Sequence, residues 1–402
     1  MRTKRLWAFR PVMAALAASA LVLAACGDAA DDPGDDGDTA APADDEDASD
    51  VEDESDEDEA QEGDDELGEA EFTLTFASYI VEPQPWMQQY LEYTDRITQE
   101  TNGRVQFENF FGESLLGFAE IMPAIGDGRV DMGFTSPQAN PDIYPMTSIV
   151  SVPYGTPSVP AAARAMDEAY AGANEEFRSE WDESNVRPLK FQPVGTNVLG
   201  APEPLSSVAD LSGMRVRSSG YGVQAFDLLG ADPIAMSSAE IYEAMQTGVI
   251  DAWANFTLEN AQPFNLHEVT PYFHDIGLGS SGIVVTAMNL DTWESLPEDI
   301  QQVFIDVSQE YTLGLGDFLQ SMDVESCAFL NEVDANAVVW SDDAIQEASD
   351  MLLDPVAAGY IGDVDAAGRD GQAWWDYYQS YMDGDDGSYG TYDGSVAGCD
   401  AG

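Results

Sequence analysis

From residue 72 onward the sequence predicts an α/β protein, and two observations carry that expectation. Strand-like and helix-like hydrophobic patterns alternate along the chain, and the plan of the first half recurs in the second. About 330 residues follow Glu71, enough for two lobes of ordinary size.

Glu71-Phe-Thr-Leu-Thr-Phe-Ala-Ser78 alternates apolar and polar residues as a half-buried strand does. In the next segment Trp86, Tyr90, Tyr93 and Ile97 share one helical face, and Asn102-Gly103 supplies the stop. Val105 to Phe110 reads as a second strand. Phe118 to Asp127 reads as a helix closed by Gly128, leading into the apolar Met132-Gly133-Phe134. In the second half, Met214 to Arg217 predicts a strand and Tyr221 to Leu229 a helix. Ser237-Ser-Ala-Glu240 then predicts a capping box for a helix that stops at Gly248. Gly128-Arg-Val-Asp131-Met and Gly248-Val-Ile-Asp251-Ala share one layout, although helix-Gly-strand junctions look alike in many α/β chains. After an apolar stretch from Ser280 to Thr286, Ser295-Leu-Pro-Glu298 reads as a further capping box. The pattern Val303, Phe304, Val307, Tyr311, continuing past Leu319, predicts an unusually long helix. Gly384 to Gly402 is rich in Gly, Asp and Ser and predicts a fraying tail. Asp383-Gly-Asp-Asp-Gly387 lacks the ligand spacing and closing Glu of a calcium loop, so no metal is expected.

Met1 to Cys26 has a basic start and then an apolar run from Val12 to Ala25, the layout of a secretory signal and too short for a membrane span. It ends in Leu23-Ala24-Ala25-Cys26, which resembles a bacterial lipobox; such a motif implies lipid on Cys26 and anchorage at the outer face of the cell membrane. Residues 27–71 hold about two dozen acidic residues and no Lys or Arg. A stretch so charged cannot bury a core and predicts a solvated tether. With Cys26 lipidated, Cys327 and Cys399 remain in a compartment where disulfides persist, either bridged or as two thiols.

The net charge is -62, and after Cys26 only one Lys and nine Arg remain. Such a surface argues against nucleic acid and anionic lipid as partners, which need positive charge. It points to a salty habitat, where a Debye length of roughly 3 Å at 1 M salt suppresses self-repulsion. Catalysis is not expected. Beyond His267 and His274 there is no histidine, and the nucleophile elbow, Walker loop and Cys-x-x-Cys pair are all missing from the sequence. No cofactor is implied.

Three blocks then carry a family signature: Pro204-Leu-Ser-Ser-Val-Ala-Asp-Leu-Ser-Gly-Met-Arg-Val-Arg217, Phe226-Asp-Leu-Leu-Gly-Ala-Asp-Pro-Ile-Ala-Met236, and Glu240-Ile-Tyr-Glu-Ala-Met-Gln-Thr-Gly-Val-Ile-Asp251 followed by Asn255. In this order they resemble the solute receptors of tripartite ATP-independent periplasmic (TRAP) transporters, of the DctP type. Thr101-Asn-Gly-Arg-Val105, Gly128-Arg-Val-Asp-Met-Gly133 and Trp293-Glu-Ser-Leu-Pro297 look like further motifs of that family. The resemblance implies a two-lobed periplasmic-binding-protein-like fold, with a ligand cleft between the lobes and one long inter-lobe helix. It implies lobe I at 72–194 with about 283–322 returning to it, and lobe II at 195–282 with C-terminal helices to about 383. A membrane permease encoded separately is the implied partner.

The family places an Arg at the end of its Gly-x-x-x-Arg strand to hold the solute's carboxylate, and that position is Arg217. A planar guanidinium bonds a carboxylate through two parallel contacts, which Lys cannot reproduce. Arg215 shares the strand face by period two, so the choice of Arg217 follows the family register. Asn255 sits where the family has a second polar contact. Where many members carry another Arg, this chain has Gly195-Thr-Asn-Val198, with Asn197 or Thr196 near the place. A neutral side chain there weakens the case for a dicarboxylate or strongly anionic sugar acid and leaves monocarboxylates and zwitterions open. Tyr79, Trp86, Phe111, Trp253 and Phe256 are the candidate apolar wall, because they lie near strand ends; Trp253 offers a cation–π face for a quaternary ammonium. A receptor for another transporter or sensor class, and a lipid-anchored surface protein without transport, are the rival readings.

Overall fold

Strand β1 (Phe72–Ser78) turns Leu74 and Phe76 into the core while Thr73 stays exposed, following its alternating sequence. Helix α1 (Pro85–Glu100) has Pro85 in its first turn, where no N–H is required, and buries Trp86, Tyr90, Tyr93 and Ile97 on one face. Burying side chains of that size stabilises by roughly 1.5–3 kcal/mol each. The computed structural model describes residues 68–382, 384, 387–394, 396 and 399. The expected signal, Cys26 and nearly all of the acidic tether lie outside the described residues, as does much of the Asp383–Gly387 run.

The chain continues through β2 (Val105–Phe110), α2 (Phe118–Gly126), β3 (Met132–Thr135), α3 (Val159–Glu168), α4 (Glu175–Glu183) and β4 (Val186–Pro193). It then passes to β5 (Asn197–Ala201), β6 (Arg215–Ser218), α5 (Tyr221–Leu228), β7 (Asp232–Ala235), α6 (Ile241–Gln246), β8 (Ala252–Thr257) and β9 (Tyr272–Asp275). The last elements are β10 (Ile283–Asn289), α7 (Leu290–Ser295), α8 (Glu298–Leu313), α9 (Leu315–Glu332), β11 (Asn336–Val339), α10 (Asp342–Ala366) and α11 (Gly371–Met382). Two sheets result, in the orders β2-β1-β3-β10-β4 and β11-β9-β5-β8-β6-β7. In the first, β2 and β3 flank β1 in parallel and β10 runs antiparallel; in the second, β7 and β8 flank β6 in parallel.

The shared Gly…Asp layout proves to be a shared device. Asp131 accepts the Thr75 N–H at 2.8 Å and returns its own N–H to the Thr75 carbonyl, pinning β3 to β1. Asp251 does the same to Arg215, at 2.9 Å and 2.8 Å, pinning β8 to β6. Gly128 and Gly248 precede them at φ 72 and 66, a left-handed turn that a Cβ would strain.

The two sheets are joined by segments that run side by side. On leaving β4, Val194 donates to the Gly282 carbonyl at 2.9 Å, and Asn197 donates to that of Gly279 at 3.0 Å.

Four expectations are corrected. The long helix is two, α8 and α9, separated at Gly314. Ser295 does not cap α8: residues 290–295 form α7, and the Ser295 hydroxyl donates back to the Thr292 carbonyl at 2.7 Å. Of the C-terminal helices, α10 packs on α5, but α11 packs on α3 beside the first sheet. There Trp374 stacks on Phe177 at 4.6 Å and donates its indole N–H to the Met146 carbonyl at 2.9 Å. Finally, the described part of the tail is bonded to the body. The Tyr389 carbonyl accepts the Gly316 N–H at 2.9 Å, the Tyr392 hydroxyl donates to Asp323 at 2.7 Å and accepts the Thr196 N–H at 2.8 Å, and Val396 is buried. Cys399 forms a disulfide with Cys327 of α9. Two tyrosines and one covalent link outweigh a Gly-rich composition.

Candidate functional site

Parallel strands place their C-terminal ends on one edge of a sheet, and here the edges of both sheets face one cavity of about 1540 Å³. From the first sheet come Tyr79 after β1, Trp86 at the start of α1, and Gln138 after β3. From the second come Asn255 and Phe256 on β8 and Glu259 just beyond it. Asn197 and Ser281, on the crossing segments, close the space between them.

Asn255 is left-handed at φ 63, a conformation Asn tolerates better than most side chains. Its Oδ1 accepts the Ser218 hydroxyl at 2.5 Å and its Nδ2 donates to the Ser281 hydroxyl at 3.3 Å, so it ties β6 and β8 to a crossing segment. A Cβ on Gly222 would lie 2.5 Å from that Oδ1, which is why α5 approaches with a glycine. Asn197 is buried with its Nδ2 donating to the Gly279 carbonyl at 3.2 Å. Gln138 also bridges the crossing: its Nε2 donates to the Ser281 carbonyl at 3.0 Å and its Oε1 accepts the Ile283 N–H at 3.2 Å.

Arg217 is 4% exposed. Its Nε and Nη2 donate to the Met236 carbonyl at 3.2 and 3.1 Å, and Nη1 donates to the Ala254 carbonyl at 3.0 Å. Those bonds use three of the five guanidinium N–H groups. Among the described residues no carboxylate pairs with it, and burial pushes its pKa down to about 10. Arg215 is different: it is half exposed and grips Asp251 through Nε and Nη2 at 2.9 and 2.6 Å. Arg217 does not itself line the cavity, because the Phe256 ring intervenes, with its centroid 5.4 Å from the guanidinium carbon.

Two of the expected wall residues lie elsewhere. Trp253 is fully buried in the second sheet's core, its indole lying over Gly200, where a Cβ would come within 2.1 Å, and donating to the Thr270 hydroxyl at 3.2 Å. It cannot offer a cation–π face to a solute. Phe111 packs edge-on against Phe76 and Tyr90, away from the cavity. Trp86 and Phe256 do form wall, as does Tyr79, which packs on Phe118 at 4.7 Å.

Glu259 and Gln138 were missed by sequence reasoning. Both follow a strand whose apolar residues are legible, β8 and β3, so position after the strand end was the available signal. Burial raises the pKa of Glu259 above the usual carboxylate range, and its charge in turn helps push that of Tyr79 up. Asp142, Glu325 and Asp363 also line the cavity, and no Lys or Arg does so among the described residues.

A profile of the bacterial extracellular solute-binding proteins, family 7, matches residues 76–359. The chain belongs to that family. The receptor is 30% identical over 252 residues to a solute-binding protein of Roseobacter denitrificans, a match that spans 61% of this chain and 75% of the relative. It is 31% identical over 206 residues to the ectoine-binding periplasmic protein of Halomonas elongata, spanning 49% of this chain and 58% of the relative. Its fold matches a TRAP periplasmic solute-binding protein of Desulfovibrio salexigens with a TM-score of 0.71 at 23% identity, covering 79% of the receptor and 98% of that structure. The receptor is therefore a two-lobed solute-binding protein of the transport family that its sequence resembled.

Proposed function

We propose that the receptor captures a small organic carboxylate in the cavity between its sheets, with the carboxylate received by Arg217, and delivers it to a TRAP-type membrane permease. The observation that carries this reading is a buried guanidinium without an acidic partner among the described residues, in a chain with 76 Asp and Glu. Leaving a charge buried and uncompensated is costly, and a ligand carboxylate supplies the missing partner through charge-assisted hydrogen bonds of roughly 1.5–3 kcal/mol each. The solute reaches the two unused N–H groups when the Phe256 ring turns aside. Asn255 then offers a polar contact, and Tyr79, Trp86 and Phe256 offer the apolar wall. Solute contacts from both lobes select the closed form, so the mechanism is one of binding alone.

The test is a thermal-shift screen of the folded domain in high salt against carboxylates, amino acids, compatible solutes and sugar acids. A shift from one class that disappears in Arg217→Ala, with circular dichroism unchanged, is the expected result. Undiminished affinity in that variant would place the carboxylate elsewhere.

We propose further that Cys26, at the end of its lipobox-like motif, carries a lipid that anchors the receptor at the outer face of the membrane. Among the described residues no helix is long and apolar enough to cross a membrane. Intact mass of membrane-extracted protein is expected to show a diacylated Cys26, and an unmodified or uncleaved N-terminus would remove the anchor.

A further inference from the structure

Two charges of opposite sign, Glu259 on the cavity wall and Arg217 behind the Phe256 ring, have no counter-charge among the described residues. Arg217 stands at the end of β6 under Phe256, with carbonyl oxygens for company. Glu259 stands just past the end of the adjacent strand β8, half-buried, on the same cavity wall. Among the described residues no Lys, Arg or His pairs with Glu259; its carboxylate is held by the Thr257 hydroxyl and its own backbone. Tyr79, from the first sheet, lines the same cavity, and the Glu259 charge adds to the upward shift of its phenol pKa.

These two charges constrain the solute in opposite ways. A simple anion satisfies Arg217 but brings a further negative charge into a cavity already lined by Glu259, Asp142, Glu325 and Asp363. Of these only Glu259 is half-buried, and like charges repel more strongly where water screens them less. A simple cation satisfies Glu259 and leaves the guanidinium without a counter-charge. A molecule with both charges compensates both, and the ring faces of Tyr79 and Phe256 add attraction for its cationic end.

We propose that the solute is a zwitterion, with its carboxylate on Arg217 and its ammonium, quaternary ammonium or amidinium group against Glu259 and the Tyr79 ring. This inference rests on the carboxylate-receptor reading above and narrows it. Glu259 is the specificity-determining residue: it rejects anions of the same shape.

The experiment compares molecules of matched shape by calorimetry in high salt: trimethylammonioacetate against 3,3-dimethylbutanoate, and proline against cyclopentanecarboxylate. Within at least one pair the zwitterion is expected to bind about tenfold or more tightly than the anion, a ratio read on the unaltered protein. Glu259→Gln is expected to weaken the zwitterion about tenfold or more while leaving the anion equal or improved, and Arg217→Ala to abolish both. Anions that bind as well as their zwitterionic partners, or a Glu259→Gln variant that discriminates as before, overturn the zwitterion inference and leave the carboxylate receptor standing. Failure of every member of both pairs also overturns it for these solute shapes. If the wider carboxylate screen is then equally silent with folded protein, the carboxylate reading falls too.

Discussion

Two arginines two residues apart on one strand have opposite fates, and the difference lies in what each can reach. Arg215, at the strand's first position, meets Asp251 and is spent on holding β6 to β8. Arg217, further in, meets only carbonyls and an aromatic ring. Lys190 is a second buried cation. It is 1% exposed on β4, with its Nζ 4.1 Å from the Tyr93 ring centroid and 5.2 Å from that of Tyr311. Burial pushes its pKa down to about 7, below the 10.5 of an exposed lysine. Between those values the unfolded chain binds the proton that the folded chain sheds, so stability rises with pH across that window. Lys190→Met is expected to raise the melting temperature at neutral pH, by a gain on the order of a few kcal/mol, and to flatten the rise toward pH 10. A variant that melts lower than the parent throughout would mean that the cation–π contacts outweigh the cost of burial.

At the level of elements, the break at Gly314 and the path of the tail belong together. The α9 helix starts where the Gly316 N–H is free to bond the Tyr389 carbonyl, and a Cβ at Gly316 would sit 2.8 Å from Gly390. From there Tyr392 reaches both Asp323 on α9 and the Thr196 N–H on a crossing segment, before the chain closes on Cys327. The tail therefore acts as a strap over the junction between the sheets. The disulfide closes a loop of sequence separation 72, for which constraint of the unfolded chain is worth about 2–4 kcal/mol. Reduction, or Cys327→Ser with Cys399→Ser, is expected to lower the melting temperature by several degrees in a scan with and without reductant. Coincident melts would show that the tail hydrogen bonds suffice without the link.

For the whole molecule, charge outweighs every other surface property. A net charge of -62 repels itself, and dissolved ions are the means of screening it. The melting temperature is expected to climb steeply from about 0.05 M to 1 M NaCl, as the Debye length falls toward roughly 3 Å. A flat profile would show that the folded domain does not feel its own field. The crossing segments and the strap are the hydrogen-bonded links that the closure proposed above is expected to flex, with each sheet intact.

The sequence by itself determined the class of fold, the order of its first elements and the family, and it singled out Arg217 as the arginine proposed to take the carboxylate. These are local matters: period-two and helical hydrophobic patterns, a Gly before an Asp, a run of motif residues in order. Tertiary structure decided everything that depends on which surfaces meet. Trp253 and Phe256 are three residues apart on β8, yet one fills the core above Gly200 and the other shields Arg217. Glu259 and Tyr79, 180 positions apart in the chain, line the same cavity. The tail holds because α9 and a crossing segment present an acid and an N–H to the same tyrosine. Contacts between distant parts of a chain leave no periodicity behind, so only the folded arrangement can disclose them.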